Sequence, residues 1–74
     1  TMNVKFFVNG WEVSSFPSDH GPPFIGAIYS PSGDYVGASK GYSPNQAIRR
    51  AIKIALGNGL PVDLAIRIKQ EANS

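Results

Sequence analysis

The sequence predicts a two-layer α+β domain, in which an antiparallel sheet of four or five strands carries one main helix on one face. Two observations predict this class: a hairpin pattern near the N-terminus and a well-capped amphipathic helix over residues 44–56. At 74 residues the chain is long enough for one small domain covering 1–74. Because neither element can bury its apolar side alone, the helix is expected to cover the sheet.

Residues 4–15 have the pattern of a β-hairpin. The runs VKFFV and WEVSS flank Asn9 and Gly10, the residue pair that best tolerates the two positive φ angles of a type I′ turn. A two-residue loop pairs Val8 with Trp11 and places alternate side chains on one sheet face. The residues predicted on the core face are Val4, Phe6, Val8, Trp11 and Val13.

The next segment is predicted as a loop followed by two strands. Residues 16–23 contain three prolines and a glycine, a composition that does not sustain strand pairing. Strands are predicted at 24–30 and 34–42, around a turn in which Pro31 and Gly33 supply the required φ angles. Glycines inside these strands permit another backbone to approach closely. They are Gly26, Gly37 and Gly41.

The helix over 44–56 has a clear start. Ser43 is a good N-cap, Pro44 suits the first helical position, and Gln46 completes a capping box with the serine. At about 100° per residue, the apolar side chains form one broad sector. The members of that sector are Ala47, Ile48, Ala51, Ile52, Ile54, Ala55 and Leu56.

Residues 60–70 fit either a strand or a short helix. Val62, Leu64, Ile66 and Ile68 alternate with other residues, which is the period of a strand. A helix would instead place Leu60, Leu64 and Ile68 on one face. The alternation and the β-branched residues favour the strand.

Composition argues against several kinds of chemistry. There is no cysteine and only one histidine, His20, which lies in the proline-rich loop beside Asp19. No cluster of metal ligands, no nucleophile with an oriented base and no spaced carboxylate pair stands out. We therefore expect a non-enzyme without metal or cofactor. No apolar run approaches the roughly 20 residues of a membrane span, and a cytoplasmic location is expected.

Positive charge is concentrated around the predicted helix. No acidic residue occurs between Asp34 and Asp63, although the net charge of the chain is only +2. Such a basic surface could neutralise phosphates of a nucleic acid. The solvated face of an ordinary helix explains the same basic residues equally well. The predicted nucleic-acid-binding residues are Lys40, Arg49, Arg50 and Lys53.

The alternative function is protein binding. Tyr35 and Tyr42 are candidate contacts, because tyrosines anchor protein partners as well as stack on bases. A sheet edge in such a small domain also invites strand addition or a homodimer. In this interpretation the chain is an antitoxin or an inhibitor from a phage or other mobile element.

Residues 33–56 resemble the C-terminal half of a double-stranded-RNA-binding domain. The matching scaffold positions are Gly33, Gly37, Gly41, Ser43, Ala47, Ala51 and Ala55. The resemblance implies a helix whose alanines face the sheet. Where that family has a K-K-x-A-K motif that grips phosphates, this chain reads PNQAI, so the resemblance assigns no binding residue.

A shorter pattern is similar to HicB-type antitoxins. In that family the helix after three strands typically begins with a glycine, then serine or threonine, then proline. Here Gly41, Ser43 and Pro44 occupy those positions. This resemblance implies a protein partner.

Overall fold

The computed structural model describes residues 3–73. It contains one antiparallel sheet in the order β1-β2-β3-β4, followed by two helices, which confirms the predicted α+β class with four strands. The elements are β1 (Val4–Val8), β2 (Trp11–Pro17), β3 (Phe24–Tyr29), β4 (Tyr35–Gly41), α1 (Pro44–Leu56) and α2 (Val62–Ala72).

The turn between β1 and β2 has the expected conformation. Asn9 and Gly10 have φ angles of 49° and 85°, and Val8 lies opposite Trp11. This is the register that the two-residue loop predicts. The hairpin therefore presents alternate side chains to the core, and Val8 and Val13 are buried.

The prediction of a loop over 16–23 is wrong at its start. Strand β2 continues through Phe16 and Pro17, which lie opposite Ile25 and Phe24 of β3. Pro17 lies two residues beyond Ser15, the last residue of β2 that pairs with β1, so β2 is an edge strand at the proline within the described register.

Both helices cover the same face of the sheet. Residues of β1–β3 on this face join residues of both helices in one core cluster, which includes Val13, Ile28, Ile48, Ile52 and Ile68. We call the opposite side the open face, because neither α1 nor α2 covers it. Its large side chains are Phe7, Phe16, Ile25, Tyr29 and Tyr35.

Helix α1 lies directly against glycines of the sheet. A Cβ atom on Gly26 would be 2.6 Å from the carbonyl carbon of Ala47, and one on Gly41 would be 2.5 Å from the amide nitrogen of the same alanine. Such distances leave no room for a side chain. These glycines therefore allow the close backbone approach that the sequence predicts, and this contact determines the position of α1 on the sheet.

The start of α1 is stabilised by a reciprocal cap. The hydroxyl of Ser43 accepts a hydrogen bond from the backbone N–H of Gln46 at 3.1 Å. The side-chain oxygen of Gln46 accepts one from the N–H of Tyr42 at 2.7 Å. The helix spans Pro44–Leu56, which coincides with the predicted range.

The buried face of α1 is narrower than predicted. The buried residues are Ala47, Ile48, Ala51, Ile52 and Ala55. Ile54 and Leu56 were expected in the same sector, but they are 45% and 38% exposed. The small alanines bring the helix axis so close to the sheet that side chains at the flanks of the sector point past it.

The strand preferred for 60–70 is wrong, since this segment forms helix α2. Leu64 and Ile68 are buried, whereas Val62 and Ile66 are 68% and 53% exposed. The alternating pattern therefore does not describe one face. Leu60, Leu64 and Ile68 instead follow the four-residue spacing of one helix face. This face packs against the core side of the first hairpin, and that packing favours the helix over the strand.

Hydrogen bonds connect α2 and its C-cap to the first hairpin and to the start of α1. Arg67 donates a hydrogen bond to the side chain of Asn9 in the β1–β2 turn at 3.1 Å. Asn45, in the first turn of α1, donates to Asn73 at the end of α2. Neither α1 nor α2 has the length and apolar character needed to cross a membrane.

Candidate nucleic-acid interface

The candidate interface is a groove on the outer side of the helix layer. It has a volume of about 360 Å³ and receives four side chains from α1 and one from α2. We call it the basic groove. Its lining residues are Gln46, Arg49, Arg50, Lys53 and Lys69.

Helical spacing brings the α1 side chains together. Arg49 and Lys53 are four residues apart and therefore neighbours on one face, with Arg50 beside them. All three are exposed. The opposite side of the helix is held on the sheet by its alanines, so this arc must face away from the core.

The basic groove has a strong positive charge. Four of its five lining residues are cations and none is acidic, although the whole chain carries a net charge of only +2. Among residues 3–73, the one ion pair joins Lys5 and Glu12 at 3.8 Å, away from the groove. The groove cations therefore lack neutralising partners within the described chain, and they create a local positive potential.

Three of the four predicted nucleic-acid-binding residues lie together, and the fourth does not. Lys40 is absent from the groove lining. Its neighbour Gly41 faces α1, and successive side chains of a strand point to opposite faces, so Lys40 projects from the open face. Arg50 nonetheless links the two places, because its guanidinium donates to the carbonyl of Lys40 at 3.1 Å.

Lys69 is the groove residue that sequence reasoning missed. The strand predicted for residues 60–70 places Lys69 in the sheet, whereas the structure places it on α2 beside α1. The helix alternative contained the necessary pattern. With Leu64 and Ile68 facing the core, a basic residue at the next position lies at the solvent margin of that face.

The candidate partner tyrosines lie outside the groove. Tyr35 and Tyr42 are 63% and 70% exposed. The Tyr35 ring lies on the open face, where its centroid is 5.8 Å from that of Tyr29 at an interplanar angle of 54°. Tyr42 directly precedes the N-cap of α1 and donates its N–H to Gln46.

The remaining candidate for chemistry is isolated. His20 is exposed in the loop after β2, where its backbone N–H donates to the hydroxyl of Ser18 at 3.2 Å. Within residues 3–73, no group of three or more histidine, cysteine, aspartate or glutamate side chains lies together as a metal site would require.

Compared with protein-family models, with curated proteins and with solved structures, the chain matches none of them. The resemblances to double-stranded-RNA-binding domains and to HicB-type antitoxins therefore stay predictions.

Proposed function

We propose that this domain is a non-catalytic module that binds nucleic acid through the phosphates of its backbone, using the basic groove. The observation that carries the proposal is the convergence of Arg49, Arg50, Lys53 and Lys69 without a carboxylate among the lining residues. An ordinary solvated helix face interleaves acids and bases, because opposite charges at i, i+4 stabilise a helix. Here the same positions repel one another, and polyanion binding would relieve that repulsion.

The groove side chains are suited to phosphates in two ways. The arginines present planar donors that match phosphate oxygens, and the lysines add compact charges. Gln46 already uses its side-chain oxygen on Tyr42 and so contributes its amide donor. The proposal assigns the groove cations to phosphates, which carry no sequence information, so the expected binding is largely independent of sequence.

Fluorescence anisotropy with a labelled oligonucleotide, measured as a function of salt, tests this proposal. If four phosphates are neutralised, affinity for a single strand falls about 50-fold between 50 and 200 mM salt. The double variant Arg49→Ala with Lys53→Ala removes two groove charges, and neither side chain bonds to another of residues 3–73. We expect it to abolish most binding.

The matched control is Lys5→Ala, which removes a cation at the far side of the molecule. This variant is expected to bind like the parent. Equal affinity of the parent and the double variant would refute the proposal. The function requires a compartment that holds nucleic acid, which is consistent with the cytoplasmic location expected from the sequence.

A protein partner is the second candidate function, and the exposure of Tyr35 and Tyr42 favours it. Strand addition at β4 is disfavoured, since side chains of the helix layer already occupy carbonyls of that strand. Under this alternative, a complex captured from a lysate would survive high salt and nuclease treatment, and it would be lost on Tyr35→Ala.

A further inference from the structure

Strand β1 forms an edge of the sheet, and its outward backbone groups are unpaired. In a two-residue hairpin the residues that flank the loop exchange hydrogen bonds, so Val8 and every second residue before it direct their N–H and C=O groups toward β2. The backbone groups of Lys5 and Phe7 therefore point away from the sheet. Among residues 3–73, no side chain or loop forms a hydrogen bond with them.

The two edges of the sheet differ in protection. The β4 edge has an irregular register, and its backbone carbonyls accept hydrogen bonds from Arg50 and Asn58. Strand β1 pairs with β2 in regular register over its whole length and contains no proline. Its one charged side chain, Lys5, is paired with Glu12 at 3.8 Å. Since edges are usually blocked by bulges, prolines, charges or covering groups, β1 is the edge open to another strand.

Apolar side chains at the β1 edge are incompletely covered. Val4 and Phe6 point to the helix-covered face and pack against the core, yet both are only half-buried. On the open face, Phe7 is 61% exposed. A strand added beside β1 would cover all three side chains and would also satisfy the outward backbone groups.

The chain itself supplies a strand that fits this edge. When β1 pairs antiparallel with β1 of a second copy about a two-fold axis at Phe6, the outward groups of Lys5 bond to those of the second copy's Phe7, and the reverse pair forms by symmetry. A shift in one direction would place two Lys5 side chains opposite each other, which is unfavourable. A shift in the other direction would place Lys5 opposite Asn9, whose φ of 49° belongs to a turn. One register therefore suits both the backbone and the charges.

We propose that this domain forms a homodimer in which the β1 strands of two copies pair antiparallel across Phe6 and join the two sheets into one. On the open face, the alkyl chain of Lys5 lies along the Phe7 ring of the second copy. On the helix-covered face, the two Phe6 rings meet. The dimer goes beyond the proposed function, because its interface contains no residue of the basic groove. An interface of this small size is weak, so the dimer is expected at chain concentrations on the order of 100 μM.

Sedimentation equilibrium over a range of concentrations tests for the dimer, and Phe7→Pro and Phe7→Ala form a matched pair of variants. Both remove the aromatic ring, but only proline removes the outward N–H, which the β1–β2 ladder does not use. Phe7→Ala is expected to weaken dimerisation about fivefold, and Phe7→Pro is expected to abolish it. Circular dichroism verifies that each variant is folded.

Amide hydrogen exchange in the parent locates the interface without any substitution. The N–H groups of Lys5 and Phe7 should exchange about tenfold or more slowly at high chain concentration than at low concentration. Ala38 is the internal control. Its N–H points outward from β4, because the backbone groups of Val36 and Lys40 do so at alternate positions. Exchange at Ala38 should not depend on concentration.

Three results would overturn the inference. They are a parent that stays monomeric at every concentration, a dimer that a folded Phe7→Pro variant retains, and concentration-dependent protection of Ala38 instead of Lys5 and Phe7. The proposed function fails separately, since Phe7→Pro leaves the groove cations unchanged and should bind a short oligonucleotide with the affinity of the parent.

Discussion

Gly37 lies so close to Ala51 that a Cβ atom on the glycine would be 2.8 Å from the carbonyl oxygen of that alanine. The same Cβ would be 2.8 Å from the amide nitrogen of Ala55. Both obstacles are helix backbone, which cannot move aside as a flexible side chain can. The contact therefore fixes the distance between the two layers.

Gly37→Ala should consequently destabilise the fold. Overpacking of this kind costs about 1–3 kcal/mol, and the absence of a movable neighbour places the expected loss at the upper end. Urea denaturation followed by circular dichroism measures it. Gly57→Ala is the control, because Gly57 has a helical φ of −72° and its added Cβ would meet one atom at 3.4 Å. An unchanged midpoint for Gly37→Ala would contradict the described packing.

Ile68→Ala and Ile66→Ala distinguish the helix at 62–72 from the strand that alternation suggests. Ile68 is fully buried, and its truncation should cost about 2–5 kcal/mol of unfolding free energy. Ile66 is 53% exposed on α2, so its truncation should change stability by about 0.5 kcal/mol or less. In a strand the two side chains would share a face, and comparable losses in chemical denaturation would support that structure instead.

Ser15→Ala should stabilise the protein. Ser15 is 1% exposed on the helix-covered face, and its hydroxyl has no hydrogen-bond partner in the structure. Removing an unsatisfied buried hydroxyl is expected to raise the unfolding free energy by about 1 kcal/mol. The midpoint of thermal unfolding reports it. Ser14→Ala, the same change one residue away on the open face, should have little effect; destabilisation by Ser15→Ala alone would show that its hydroxyl is paired.

Side chains of α1 and of the turn after it form hydrogen bonds with backbone carbonyls on the free edge of β4, which hinders pairing with another strand. Asn58, in that turn, is the residue we choose to test this. Its side-chain amide donates a hydrogen bond to the carbonyl of Val36 at 2.9 Å. Four residues further along the strand, the guanidinium of Arg50 donates one to the carbonyl of Lys40. Asn58→Ala should cost about 0.5–1.5 kcal/mol and increase self-association in sedimentation velocity, because an uncapped edge can pair with another chain. Asn58→Asp is the companion variant. It keeps the size but loses the donor, so it should behave like the alanine variant. A parent-like sedimentation profile for both would refute edge protection.

Local patterns predicted most of the fold. The Asn9-Gly10 turn determines the register of the first hairpin through its loop length, and the Ser43–Gln46 cap determines the start of α1 within one residue. Both depend on interactions between residues close in sequence. Residues 60–70 could not be assigned in this way, because strand and helix patterns coexist there. The choice between them depends on contacts with residues far away in the sequence, because Val8 and its neighbours are buried by this segment.

The candidate site shows the same contrast between features set by residues close in sequence and features set by contacts between elements. Arg49, Arg50 and Lys53 share a helix face because of helical periodicity alone, so their proximity was predictable. Lys40 separates from them because the orientation of β4 relative to α1 is decided by Gly41 against Ala47, a contact between elements. Lys69 could not be placed before α2 was known to be a helix lying beside α1.

The position of α2 determines when the domain can finish folding during synthesis. The first hairpin is made before any other element, yet the residues that shield Val8 come from Leu60 and α2, which emerge from the ribosome after the remaining elements. Until then, Val8 lacks its native cover, although α1 can already pack against the β2 side of the hairpin. The hairpin therefore completes its packing only after α2 has been synthesised, and a polypeptide truncated before residue 60 would expose Val8 and be prone to aggregate.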